Sequence, residues 1–242
     1  MDKKSVLVEV DSDDLVLANS ALLFMLTHAE ESIASLKACR SRIIDALLDA
    51  ARKREPAPPP VVAETGIFTD ERDGQSYKTV KMPDGKVWMA ENLNYETEEG
   101  SWYYDNDTEY AHRHGRLYIW DAAKAACPEG WHLSTCEEWA ALVEACGGKD
   151  VAGKKLKARS GWNEDGNGTD DYGFSALPGG GRYSDGDFGN AGYLGFWWTA
   201  TENGDFIAYR RGMFYGLDYV YEDLLNYNDK DFGFSVRCVK DN

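Results

Sequence analysis

GRLYIWDAAKAACPEGWHL, residues 115–133, is the stretch from which the fold is read. The apolar run 117–120 predicts a short strand. The alanine-rich run after it predicts an amphipathic helix that stops at Pro128. Asp121 stands where a helix wants an N-cap acceptor. Ala122, Ala123, Ala125 and Ala126 are small enough for a neighbouring backbone to approach closely. Pro128 and Gly130 end the turn, and Trp131 and Leu133 open the next buried segment. Cys127, at the helix end, is placed to be tied to something distant.

Downstream, Ser134 is expected to cap a second helix running from Thr135 to about Cys146, with Glu137 at the capping-box position. Trp139, Leu142 and Val143 form its buried face, and Gly147-Gly148 ends it. Residues 153–162 read as a short basic strand or turn, and 163–173 as a glycine- and acid-rich loop. Residues 195–201, 206–215 and 234–239 read as three strands of one sheet. Upstream, 78–82 and 87–90 are strands joined by a hairpin at Pro83-Asp84-Gly85-Lys86, and 101–114 is a polar, aromatic loop.

The N-terminal part has a different character. Residues 11–54 read as a helix in which Leu15, Leu22, Ala29, Leu36, Ile43 and Ala50 recur every seven positions. Leu26, Ile33 and Leu47 sit four positions after three of them, which is a coiled-coil stripe. The helix either packs on its own globular domain or forms an oligomerisation neck. The length of the stripe and the spacer after it favour the neck, and hence a homo-oligomer. In the spacer, EPAPPPVVAE at 55–64, four prolines in five residues enforce an extended, semi-rigid chain. The division is therefore 1–54 helical segment, 55–66 linker and 67–242 globular head.

The net charge of −16 disfavours nucleic acid and anionic membrane as partners, because phosphates repel it. Acidic residues interrupt the apolar run near the N-terminus, so no export signal is expected, and 21–26 is too short to span a bilayer. This favours the cytoplasm or a phage virion, with the cell surface reached by another route. The five cysteines, Cys39, Cys127, Cys136, Cys146 and Cys238, contain no C-x-x-C pair, so a zinc ribbon is not expected. The odd count leaves at least one free thiol unless chains cross-link.

Four separated blocks carry a resemblance. DRDGxxYxTVxxxxGxxWMAENLNY is matched by Glu71-Arg72-Asp73-Gly74, Tyr77, Thr79-Val80, Gly85 and residues 88–95. GRLYxWxxAxxACPxGWHLP is matched from 115 to 133, with Ser134 in place of the final proline. GTDxYGFSALPGG is matched at 168–180 and FSVRCVKD at 234–241. Together they resemble the Fibrobacter succinogenes major paralogous domain over about residues 68–241. The resemblance implies an α+β, C-type lectin-like fold: a small twisted mixed sheet with two helices and long loops. It also implies a disulfide between Cys127 and Cys238. The family's second cysteine pair has no counterpart in 101–115, which leaves two buried thiols as the alternative.

Catalysis is not expected. His112 and His114 read as solvated loop residues rather than metal ligands, and His132 as a core or boundary histidine. Formylglycine-generating enzymes, which share the implied fold, use a close cysteine pair near the C-terminus, and only Cys238 lies there. Asn163, Asp165, Asn167, Thr169 and Asp171 alternate like a calcium loop, but Phe174 occupies the position of the bidentate glutamate. The loop is read as structural, with no cofactor; calcium-dependent sugar binding or a structural surface protein without a specific ligand is the alternative, ahead of a formylglycine-generating-like enzyme.

The functional signal is 202–231, rich in Tyr, Phe, Asp, Asn and Gly. Rings give contact area at low entropic cost, and short polar groups give fitted hydrogen bonds. The expected ligand-binding residues are Asp205, Phe206, Ile207, Arg210, Phe214, Leu217, Tyr219, Tyr221, Asp223, Leu224 and Tyr227, facing a protein or surface-glycan ligand. The segment 198–239 also resembles the C-terminal cassette of C-type lectin-like proteins diversified by retroelements. That resemblance implies residues that vary between gene copies just before the fixed GFSVRCV ending.

Overall fold

The computed structural model describes residues 64–222 and 229–241. The chain divides into two units, Met1–Pro59 and Pro60–Asn242, and every described residue belongs to the second. The helix and stripe expected over residues 11–54 lie outside the described residues. The described part is α+β.

The larger sheet has five strands in the order β1 (Glu64–Thr69), β2 (Ser76–Lys81), β3 (Val87–Met89), β12 (Cys238–Lys240) and β6 (Trp131–Leu133). β1 starts at Glu64, inside the stretch read as linker, because Glu64 pairs with Lys81 across the ladder and by a 3.1 Å ion pair. The C-terminal strand β12 is inserted between the first hairpin and the strand that follows Pro128. A second sheet holds β9 (Leu194–Glu202), β10 (Ala208–Phe214) and β11 (Tyr221–Glu222), in the order β11-β10-β9. Two short pairs complete the set: β4 (Ser101–Trp102) with β5 (Leu117–Tyr118), and β7 (Gly181–Arg182) with β8 (Phe188–Gly189).

All four sheets are antiparallel, where one mixed sheet was expected. Among the described residues, parallel pairing occurs only as isolated bridges, one of them between Trp197 and Ser235. The three strands expected in one sheet are split for a related reason. Residues 234–239 pair with β9 at that one bridge, and their regular ladder is made with β3 and β6.

Among the described residues there are four α-helices, where two were expected: α1 (Thr108–His114), α2 (Trp120–Ala126), α3 (Cys136–Ala145) and α4 (Lys149–Leu156). α1 lies in the stretch read as loop. Asp107 caps it by accepting from the Glu109 N–H, and Ala111 and His114 are its buried positions. α4 covers part of the stretch read as a basic strand or turn. Ala152, Gly153 and Leu156 make a buried helical stripe that three lysines obscure in the sequence. Glycine is required at 153, since a Cβ there would lie 2.6 Å from the Tyr219 carbonyl oxygen.

Two cap assignments also change. α2 begins at Trp120, so Asp121 falls in its first turn and pairs with Lys124 at 2.9 Å. Tertiary bonds fix that start: the Trp120 N–H donates to the Lys230 carbonyl and its Nε1 to the Thr199 carbonyl. In α3 the cap is Thr135, with Glu138 completing the capping box. Ser134 instead accepts a hydrogen bond from Trp139 Nε1 at 2.8 Å.

β9 stands between the two hydrophobic cores. Adjacent strand residues point to opposite faces, so Trp197 enters one core with Trp88, Trp139, Phe174 and Met213. Trp198 enters the other with Tyr118, Trp120, Leu133 and Phe234. Each buried ring contributes roughly 4–6 kcal/mol of gross transfer energy. The second core contains Cys238, which is bonded to Cys127 in a disulfide between β12 and the end of α2. Cys136 and Cys146 are free thiols.

Candidate functional site

The expected binding residues are carried by the β9–β10 hairpin and the chain that follows it. The hairpin register slips between Ala208 and Arg210, where two steps along β10 answer to four along β9. Beyond the slip, alternate residues separate cleanly. Arg211 and Met213 are buried, Met213 in the core with Trp197 and Trp139. Arg210 and Phe214 are half-buried on the opposite face. There the Arg210 guanidinium lies 3.8 Å from the Phe196 ring centroid and 4.7 Å from that of Phe234. Gly212 leaves space for this floor, because a Cβ on it would approach the Phe196 ring to 3.2 Å.

The candidate residues fall into two groups. Asp205, Phe206 and Ile207 form the hairpin tip, where Phe206 is 79% exposed. Lys230 braces this tip. Its N–H donates to the Phe206 carbonyl, and its Nζ reaches the Asp205 carbonyl at 3.0 Å and Glu202 at 3.1 Å. The same ammonium lies 4.5 Å from the Trp120 ring, which links the tip to the start of α2.

Phe214, Leu217, Tyr219 and Tyr221 form the other group, a half-buried shoulder at the far end of β10. The Tyr221 ring is 4.4 Å from Phe214 and 4.3 Å from Tyr219, and the two tyrosine hydroxyls are hydrogen-bonded. β11 pairs with Arg211 and Gly212, and Asp229 bridges to Ile207. One described end therefore lies along β10, on the edge opposite β9, and the other beside Ile207, just before β10. Asp223, Leu224 and Tyr227 lie outside the described residues.

Residues outside 202–231 hold the shoulder mainly through its main chain. The Lys157 ammonium donates to the carbonyls of Phe214, Tyr215 and Leu217 at 3.1, 3.1 and 3.0 Å. The Lys154 N–H donates to the Asp218 carbonyl, and the Val220 N–H to the Lys149 carbonyl. Gly166 lies against the Tyr215 backbone so closely that a Cβ would be 2.6 Å from its carbonyl oxygen. Burial lowers the Lys157 pKa to about 8, and among the described residues its hydrogen-bond partners are main-chain carbonyls. This lysine had no signal of its own in the sequence, where it sits among other lysines of a polar-looking run.

Of the other sequence candidates, His112, Asn163, Asp165 and Asp171 are exposed, while His114, His132 and Asn167 are engaged in the framework. His114 is buried, stacked 3.9 Å from Tyr110, and burial lowers its pKa to about 4. His132 lies between Asp241 at 2.6 Å and Glu138 at 2.9 Å. In the calcium-like loop, Asn167 accepts from the Trp162 N–H, and Asp170 accepts from both the N–H and the hydroxyl of Ser175. Among the described residues, no group of three or more His, Cys, Asp or Glu side chains is placed to hold a metal. No helix among them is long and apolar enough to cross a membrane.

The sequence model of the Fibrobacter succinogenes major domain matches residues 80–240, more than half of the chain. No curated protein and no solved structure matches it.

Proposed function

The chain belongs to the Fibrobacter succinogenes major domain family, and on that premise we propose that it is a non-enzymatic binding protein with a C-type lectin-like head. The ligand, a protein or a surface glycan, is bound by residues 202–231, and the N-terminal helix gathers several heads into one oligomer. In this reading the C-terminal segment is a retroelement-diversified cassette. One observation carries it: half-exposed rings at Phe214, Tyr219 and Tyr221 are borne on a backbone that residues outside the segment tie down. Such rings offer rigid contact area that loses little entropy on binding.

Two measurements test the reading. Copies of the gene from independent isolates are sequenced, and substitutions should concentrate at 202–231 while 115–133 and 234–239 stay fixed. An even spread would remove the cassette. Binding of the full chain to glycan and peptide arrays is then compared with that of a Phe206→Ala, Phe214→Ala, Tyr219→Ala, Tyr221→Ala variant. Hits retained by the variant would place the ligand surface elsewhere. Hits abolished by a chelator would favour calcium-dependent sugar binding.

A further inference from the structure

Lys157 is 1% exposed, and each of its three ammonium N–H groups meets a different main-chain carbonyl. All three carbonyls belong to one turn, Phe214, Tyr215 and Leu217, which is closed by the Leu217 N–H donating to the Phe214 carbonyl. Convergent carbonyl oxygens around one point are a common way for loops to hold a cation. Here the cation is covalently part of the scaffold. Its stem leaves α4 at the C-cap, and the Trp162 ring lies 5.1 Å from the ammonium.

A carbonyl presents the same acceptor whatever side chain its residue carries. The grip of Lys157 is therefore indifferent to the identity of residues 214, 215 and 217. The flanking contacts share this property. Lys154 and Lys149 bond main-chain atoms of Asp218 and Val220, and Gly153 and Gly166 accommodate the backbones of Tyr219 and Tyr215. Side chains add anchoring: Met213 and Val220 are buried in the first core, Tyr215 packs against it and Phe214 packs against the second, while Leu217 and Tyr219 pack against neither.

We propose that Lys157 is the positioning residue of the binding shoulder: its ammonium takes the place of a bound metal ion and fixes the main chain of 214–217, so that the side chains there can be exchanged without moving it. The proposal rests on the reading of 202–231 as a ligand surface only in calling the shoulder a binding element. Backbone order is measured whether or not a ligand is found, so failure of one idea is distinguishable from failure of the other.

The test is hydrogen–deuterium exchange on the full chain, with peptides covering 214–222 compared with peptides covering β2 and β3. Lys157→Met should raise exchange over 214–222 at least tenfold and leave β2 and β3 protected. A Phe214→Ser, Leu217→Ser, Tyr219→Ser variant should keep the wild-type protection of the 214–222 backbone. Loss of protection in this triple variant, or unchanged exchange in Lys157→Met, overturns the proposal. If Lys157→Met does not fold, the unaltered protein decides. Its Lys157 15Nζ signal should be shielded from solvent exchange and show couplings across hydrogen bonds to the carbonyl carbons of Phe214, Tyr215 and Leu217. Rapid exchange without such couplings overturns it.

Discussion

Asn92 accepts a hydrogen bond from Arg237, Nε to Oδ1 at 2.7 Å, across 145 positions of sequence. The same oxygen accepts from Trp197 Nε1, and the amide nitrogen donates to the His114 carbonyl. Four distant segments therefore meet on one side chain. Arg237 is wholly buried, and three of its four remaining N–H groups reach the carbonyls of Met89, Phe174 and Ser175. Asn92→Ala would leave a buried guanidinium and an indole N–H short of an acceptor. The expected loss is about 3–5 kcal/mol, the sum of one hydrogen bond to a buried charge and one buried indole donor left unsatisfied. Urea unfolding of the two proteins measures it. A loss below about 1 kcal/mol would mean that water replaces the amide there.

The Cys127–Cys238 bond closes a separation of 111 residues and joins the end of α2 to a central strand. By restricting the unfolded chain, a loop of this length gives about 4–5 kcal/mol in the entropy model. Cys127→Ser with Cys238→Ser should lower the melting temperature by about 8–20 °C, since about 1 kcal/mol corresponds to 2–4 °C in a domain of this size. Reductant should then have little further effect. Cys136→Ser should leave the melting temperature close to wild type, because that thiol forms no disulfide and a serine hydroxyl can keep its contact with the Thr199 hydroxyl.

The parts of this architecture that are legible in the sequence depend on local chemistry. The first hairpin announces itself by alternation around Asp84-Gly85, and α3 by its glycine stop and the spacing of Trp139 and Leu142. The strand-to-helix order of 117–126 follows from a short apolar run before alanines. What sequence hides is set by tertiary partners. Nothing local distinguishes Trp197 from Trp198, yet they enter different cores. α4 is masked by Gly153, whose reason is the Tyr219 carbonyl 66 positions away. Of the candidate surface, the rings were visible as composition. Their separation into a hairpin tip and a shoulder was not, because it depends on the pairing of β11 with β10.

His132 lies across the junction of β6, the α3 cap and the C-terminal strand. Burial opposes the charged imidazole, but hydrogen bonds to Asp241 and Glu138 outweigh it and raise the pKa above its ordinary 6.5. Its contribution to stability is therefore full below that value and is lost as pH rises through the folded-state pKa. For Glu138, burial opposes ionisation, but the Thr135 N–H, His132 and Lys86 prevail and lower the pKa below 4.5. That contribution is present above 4.5 and is lost as pH falls through the folded-state value. The two overlap fully between about 4.5 and 6.5. His132 is part-exposed, so screening holds its share to about 0.5–1 kcal/mol. His132→Gln should flatten the decline in melting temperature above neutral pH. Parallel curves for the two proteins from about pH 5 to 9 would rule the coupling out.

Phe206 and Trp198 give opposite expectations for the loss of an aromatic ring from the same hairpin. Trp198 is fully buried, and its Nε1 donates to the Tyr118 carbonyl at 2.7 Å. Trp198→Ala should cost about 3–5 kcal/mol, since the cavity adds to the lost transfer energy. Phe206 is largely exposed, and the bond Lys230 makes to residue 206 uses the main-chain carbonyl, which substitution retains. Phe206→Ser should therefore alter stability by no more than about 0.5 kcal/mol in either direction. An exposed phenyl ring that contributes nothing to folding still presents apolar area to a partner. If the hairpin tip belongs to the ligand surface, the same substitution should weaken binding about tenfold, or about 1.4 kcal/mol. Thermal melts and titration of array-identified ligands separate the two effects. A stability loss above about 1 kcal/mol would show that the ring packs within the protein, and unchanged affinity would confine the binding surface to the shoulder formed by Phe214, Tyr219 and Tyr221.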